Sequence, residues 1–139
     1  MTRIEALQAV LAGEHAAVYA FGVVGAQLRP ASDEGDAAAA YHLHLARRDL
    51  VTAALVAADA TPVGSAPAYD LGGPVTSPAA ARALAATVEL GLCGPYADLV
   101  GVTETAGRSR TADWTSQAAL AAVGWGGDPV AFPGLAERS

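Results

Sequence analysis

Residues 2–28, TRIEALQAVLAGEHAAVYAFGVVGAQL, decide the fold. Ile4, Leu7, Leu11, Val18, Phe21, Gly25 and Leu28 recur at steps of three and four along it, the spacing of one helix face. The one gap in that seam is filled by Glu14. A carboxylate within an apolar stripe needs a partner, because an unpaired buried charge costs several kcal/mol or titrates away. The helix opens on a capping-box pattern, Thr2-Arg3-Ile4-Glu5, and is expected to begin the mature protein. Between residues 16 and 28 only Tyr19 and Gln27 are polar, so the helix is apolar all round and must be covered on several sides. Gly13, Ala17, Gly22, Gly25 and Ala26 would admit a second helix closely, which predicts a homodimer packed on helix one. The alternative is a helix one held centrally, wrapped by the rest of its own chain.

Outward from this helix, 139 residues suit one domain with a real core. A chain 53% hydrophobic and 16% charged is not a disordered one. All eight basic residues are Arg, and the net charge of −6 excludes nucleic acid as a partner. The single cysteine, Cys93, reads as a small core residue in a reducing cytoplasm. The uncharged run at residues 16–28 falls short of the roughly 18 residues that span a bilayer, so no membrane partner is expected.

The predicted elements are helices over about 2–28, 32–59, 77–104 and 109–123, with a tail over 124–139. Helix one ends at Arg29-Pro30. Helix two takes Ser32 as its cap, and Tyr41, His44 or Leu45, Arg48, Val51 or Thr52, and Leu55 share a face. Arg47 and Asp49 fall beside that face, at its edge or in solvent. The next segment, TPVGSAPAYDLGGPVT at residues 61–76, has three prolines, three glycines and no helical period. Helix two is about 40 Å long, and an extended segment of this size spans roughly 50 Å. The segment therefore serves as a crossover that starts helix three parallel to helix two; an active-site lid is the weaker alternative. Helix three begins at Ser77-Pro78, and Arg82, Ala85, Glu89, Leu92, Tyr96 and Leu99 share a face on it. Pro95 should kink this helix and leave a gap that a small ligand could use. Residues 105–108 form the next turn, and Ala112, Gln117, Leu120 and Val123 are the apolar-side candidates of helix four. Trp125, Phe132 and Leu135 are expected to anchor the tail on the bundle.

The result is an all-α four-helix bundle with one long crossover between helices two and three, a ferritin-like topology. GEHAAVYAFGVVGAQL, HLARRDL, the Pro-Val-Thr end of the loop, the Glu89 face with YADLV, and the WG…FPGL tail together make the chain resemble an actinobacterial ferritin-like domain family of unassigned function. The resemblance implies a ferritin-like four-helix bundle. Active di-iron members place a Glu on each of two helices and Glu-x-x-His on each of the other two. Glu14 and Glu89 match the single carboxylates, but helix two offers only Tyr41-x-x-His44 and His44-x-x-Arg47, and helix four has no ligand. Two irons need roughly six protein ligands, so the di-iron reading fails on ligand count.

The expected site is therefore a buried polar cluster of Glu14, His44, Arg48 and Glu89, joined by Tyr41. In it the Arg48 guanidinium bridges the two carboxylates in place of metal. No cofactor, no catalytic residue and no enzymatic activity are assigned, and the function expected is that of a structural or interaction module. The rival is one Fe, Mn or Zn ion held by Glu14, His44 and Glu89. His15 and His42 lie beside the seam rather than in it.

Overall fold

A computed structural model describes residues 1–28 and 31–135. Within them the chain is four α-helices: α1 (Arg3–Gln27), α2 (Ala31–Ala57), α3 (Pro78–Val102) and α4 (Thr105–Gly124). Arg29 and Pro30, where helix one was expected to end, lie outside the described residues, as does the side chain of Ser32.

Local chemistry starts and stops these helices. The Thr2 hydroxyl accepts from the Glu5 amide at 3.1 Å, and the Glu5 carboxylate accepts from the Thr2 amide at 2.6 Å. These bonds hold the exposed Glu5 carboxyl below its usual range. Ser77 caps α3 through the Ala80 amide, with Pro78 in the first turn where its missing N–H costs nothing. Asp59 takes φ 56° while the Ala60 amide returns to the Leu55 carbonyl, closing α2. Helix α4 begins at Thr105, four residues before the expected start at Ser109. Only Thr103 and Glu104 separate it from α3. Gly107 thus belongs to the first turn of α4, where a Cβ would come within 2.8 Å of Thr103 Cγ2.

Helix α1 packs against α2 and α3, and α3 also packs against α4. The apolar side chains divide into two cores. One holds Leu7, Leu11, Leu55, Leu92 and Leu99; the other holds Phe21, Val24, Leu28, Ala85 and Trp125. His44 on α2 and Glu89 on α3 lie between them in sequence, and Glu14 on α1 interrupts the first between Leu11 and Ala17. Helices α1 and α3 are long and apolar enough to cross a membrane by length and composition alone. Their buried faces build both cores.

The loop after α2 lies along α1. Gln8 donates to the Thr61 carbonyl and accepts from the Val63 amide, His15 bonds the Val63 carbonyl at 3.0 Å, and Tyr19 packs on Tyr69. Val75 then joins the core of Phe21 and Leu28. The loop thereby covers one side of α1, and Arg82 near the start of α3 reaches Asp33 near the start of α2 at 2.9 Å.

Several expected core positions face outward. Ile4 is exposed, and on α4 Leu120 and Val123 are exposed while Thr111, Ala118 and Ala122 are buried. The buried face of α4 is thus built from small residues and not from its leucine and valine. Trp125 is buried against Phe21, as expected of an anchor, but Phe132 and Leu135 are exposed. The tail closes instead through Gly134, whose φ of 80° and contact with the Cys93 carbonyl leave no space for a side chain. Gly134 thus lies over α3 beside Pro95, at the place where a ligand-sized gap was expected.

Candidate functional site

The helix faces deliver an unbroken chain of six polar side chains from all four helices. His44 Nδ1 lies 2.7 Å from Glu14 Oε2, and His44 Nε2 lies 3.2 Å from Glu89 Oε1. The other Glu14 oxygen accepts from the Tyr96 hydroxyl. Arg47 Nη1 donates to that hydroxyl at 3.1 Å, and its Nη2 donates to Gln117 Oε1 at 2.6 Å. The order is Glu89, His44, Glu14, Tyr96, Arg47, Gln117. Glu14, His44, Arg47, Glu89 and Tyr96 are all buried, none more than 2% exposed. Phe21 stacks on the His44 ring at 5.2 Å; the Tyr96 and Trp114 rings pack on each other at 5.6 Å, and the Arg47 guanidinium lies over both at 5.4 and 5.3 Å.

Of the expected cluster, Glu14, His44 and Glu89 come together as read. Arg48 does not join them: its guanidinium turns outward to Asp49 at 2.8 Å, with about a third of the side chain exposed. The buried arginine is Arg47. Helix α2 buries His44, Arg47, Val51 and Leu55, so its inward line passes one residue to the side of the expected one. Tyr41 is half-buried, packs edge-on to His42, and makes no hydrogen bond to the cluster among the described residues. Nor does any arginine among the described residues bridge the carboxylates. The imidazole of His44 does that, and Arg47 reaches Glu14 only through Tyr96. Tyr96 was placed on the right face, seven residues after Glu89, but read as core; Gln117 and Trp114 carried no signal of a role.

Residues 6–137 match the family model described as a domain of unknown function, DUF4439. The chain belongs to this family. The DUF4439 chain is also similar to the crystal structure of a conserved hypothetical protein, rv2844, from Mycobacterium tuberculosis. That likeness has 32% identity and a TM-score of 0.82, over 88% of this chain and 93% of the other. No curated protein matches it.

The charges of the DUF4439 site balance: Glu14 and Glu89 against His44 and Arg47. Burial alone would lower the His44 pKa. The hydrogen bonds to Glu14 and then Glu89, with their charges, outweigh it and raise the imidazole from 6.5 to about 9. The geometry explains why: a neutral ring has one N–H, and its other nitrogen would point a lone pair at a carboxylate. Burial, then the Glu14 charge, holds the Tyr96 phenol well above its usual 10, so it stays a donor. Because the folded His44 pKa lies above the unfolded one, its stabilisation is full below about pH 6.5 and lost as pH rises through about 9. Urea unfolding across that interval is expected to show stability falling by up to about 1.4 kcal/mol per pH unit. A flat profile there would show that His44 is not held charged.

The donor set does not fit a metal. Both imidazole nitrogens already face carboxylate oxygens, so neither has a lone pair directed at an ion, and a guanidinium lies one hydroxyl away. Among the described residues no group of three His, Cys, Asp or Glu is arranged to hold one. Cys93 is buried, with its thiol directed at the Glu89 carbonyl.

Proposed function

We propose that this protein is a ferritin-like bundle in which a protein-only polar layer occupies the place of a di-iron centre, and that it acts as a structural or interaction module rather than an enzyme. One observation carries the reading. The two carboxylates that match the single-Glu ligands of di-iron bundles are bridged by the His44 ring itself. His44 therefore supplies the positive charge that metal would bring. A polar layer between two apolar cores also disfavours sliding of the helices, since a shift by one turn would bury the carboxylates against leucines.

Elemental analysis tests this directly. Protein purified without chelator is expected to carry iron, manganese and zinc well below one per chain, and EDTA is expected to leave its thermal midpoint unchanged. A stoichiometric metal whose removal lowers the midpoint would replace this reading with the single-metal one.

The proposal extends to a homodimer on the part of α1 that the loop leaves open, where Ala12, Gly22 and Ala26 are exposed. Light scattering at tens of micromolar is expected to return twice the chain mass; the mass of one chain would remove the dimer.

A further inference from the structure

The polar layer reaches the surface at Gln117, which is exposed, and a cleft reaches it from another side at Glu89. Helices α2 and α4 flank the α1–α3 pair, and this cleft of about 280 Å³ opens between them toward Trp125. Glu89 lines this cleft although it is 98% buried, its relative exposure being 2%. Its Oε1 accepts from His44. Its Oε2 has no hydrogen-bond partner among the described residues, yet is not among the fully occluded unpaired atoms, of which Arg47 Nε is the one found. A carboxylate oxygen that is deep, accessible and unpartnered awaits a donor.

The walls above it are apolar: Ala39, Ala40 and Leu43 from α2, Ala121 from α4. The mouth carries the exposed carboxylate of Asp36 and the guanidinium of Arg82. That guanidinium is already engaged, paired to Asp33 and laid over the Trp125 ring at 5.5 Å. Within the cleft Arg82 is paired to Asp33 and Glu89 meets His44 through Oε1 alone, which leaves the Glu89 Oε2 and the exposed Asp36 carboxylate open to it. The combination selects a positively charged donor with a short hydrocarbon body.

We infer that this cleft is a binding site for a small organic cation, a primary alkylammonium group, with its N–H donating to Glu89 Oε2 and its chain lying against Leu43 and the alanines. Charge-assisted hydrogen bonding at a desolvated carboxylate supplies the selectivity. The apolar walls supply the dependence on chain length. Occupancy would also place a second cation on Glu89, coupling the cleft to the His44 layer.

The test is a titration of the full chain with n-butylammonium and n-hexylammonium chloride through the millimolar range, followed by amide chemical shifts, with 1-hexanol as the uncharged control. Saturable shifts are expected to centre on residues around Leu43, Glu89 and Ala121, with hexylammonium binding more tightly by about fourfold per buried methylene. The alcohol is expected to bind roughly tenfold or more weakly. Glu89→Gln should weaken ammonium binding to the level of the alcohol. Because that variant also disturbs the His44 layer, Ala39→Phe serves beside it: it fills the cleft from an exposed position and should abolish binding while leaving the thermal midpoint in place. Absence of saturable shifts, equal binding of hexanol and hexylammonium, or full binding by Ala39→Phe overturns the site.

Discussion

Replacing His44 with alanine is expected to cost about 3–5 kcal/mol of folding stability, the range for breaking a buried ion pair. His44 donates to Glu14 at 2.7 Å and to Glu89 at 3.2 Å, and all three side chains are buried. Without the ring, two carboxylates share a cavity that lacks its imidazolium. Single domains have only about 5–15 kcal/mol in total, so the variant would sit near the edge of folding at neutral pH. Adding Glu14→Gln to His44→Ala is expected to recover part of the loss, because one of the stranded charges is then gone. Urea denaturation of the single and double variants reads both effects. If His44→Ala costs less than about 1 kcal/mol, in the range of a surface pair, the ring is not the counter-charge.

The second large effect separates two adjacent arginines. Arg47→Ala is expected to destabilise by about 2–4 kcal/mol, somewhat below the full loss for a broken buried pair. It removes the cation over the Tyr96 and Trp114 rings, two hydrogen bonds, and one of the two positive charges that balance Glu14 and Glu89. The loss is tempered because Arg47 Nε, buried without a partner, goes too. Arg47→Lys is expected to rescue little, since an ammonium offers neither the planar stack nor the fork that holds Tyr96 and Gln117 together. Arg48→Ala, by contrast, is expected to change stability by at most about 0.5 kcal/mol, because its pair with Asp49 lies at the surface. Parallel melting of the three variants decides the matter. Equal losses at positions 47 and 48 would mean that α2 is rotated from the orientation described.

The inward carboxylates were legible because they break an otherwise apolar seam, and a break of that kind has few physical explanations. His44 was legible less sharply, because helical spacing left either it or Leu45 on the inward face of helix two. The choice between Arg47 and Arg48 was not. They stand three and four residues after His44, and a 3.6-residue turn places both near its face. Only the packing of α2 against α1, with Val51 and Leu55 buried, selects the first. The phenol of Tyr96 was hidden for a different reason: aromatic rings on a core face are ordinary, and nothing local says that the hydroxyl ends at Glu14.

The amino-acid order by itself determined the four helices, their main caps at Thr2 and Ser77, and the presence of Glu14, His44 and Glu89 on inward faces. Those properties follow from periodicity and short-range hydrogen bonding, which act within a few residues. Tertiary structure alone decided which group neutralises the acids, that α4 meets α3 through alanines while Leu120 and Val123 face out, and that Gly134 rather than Phe132 seats the tail. These depend on distances between helices, and one residue of rotation or an ångström of approach changes which side chain fits.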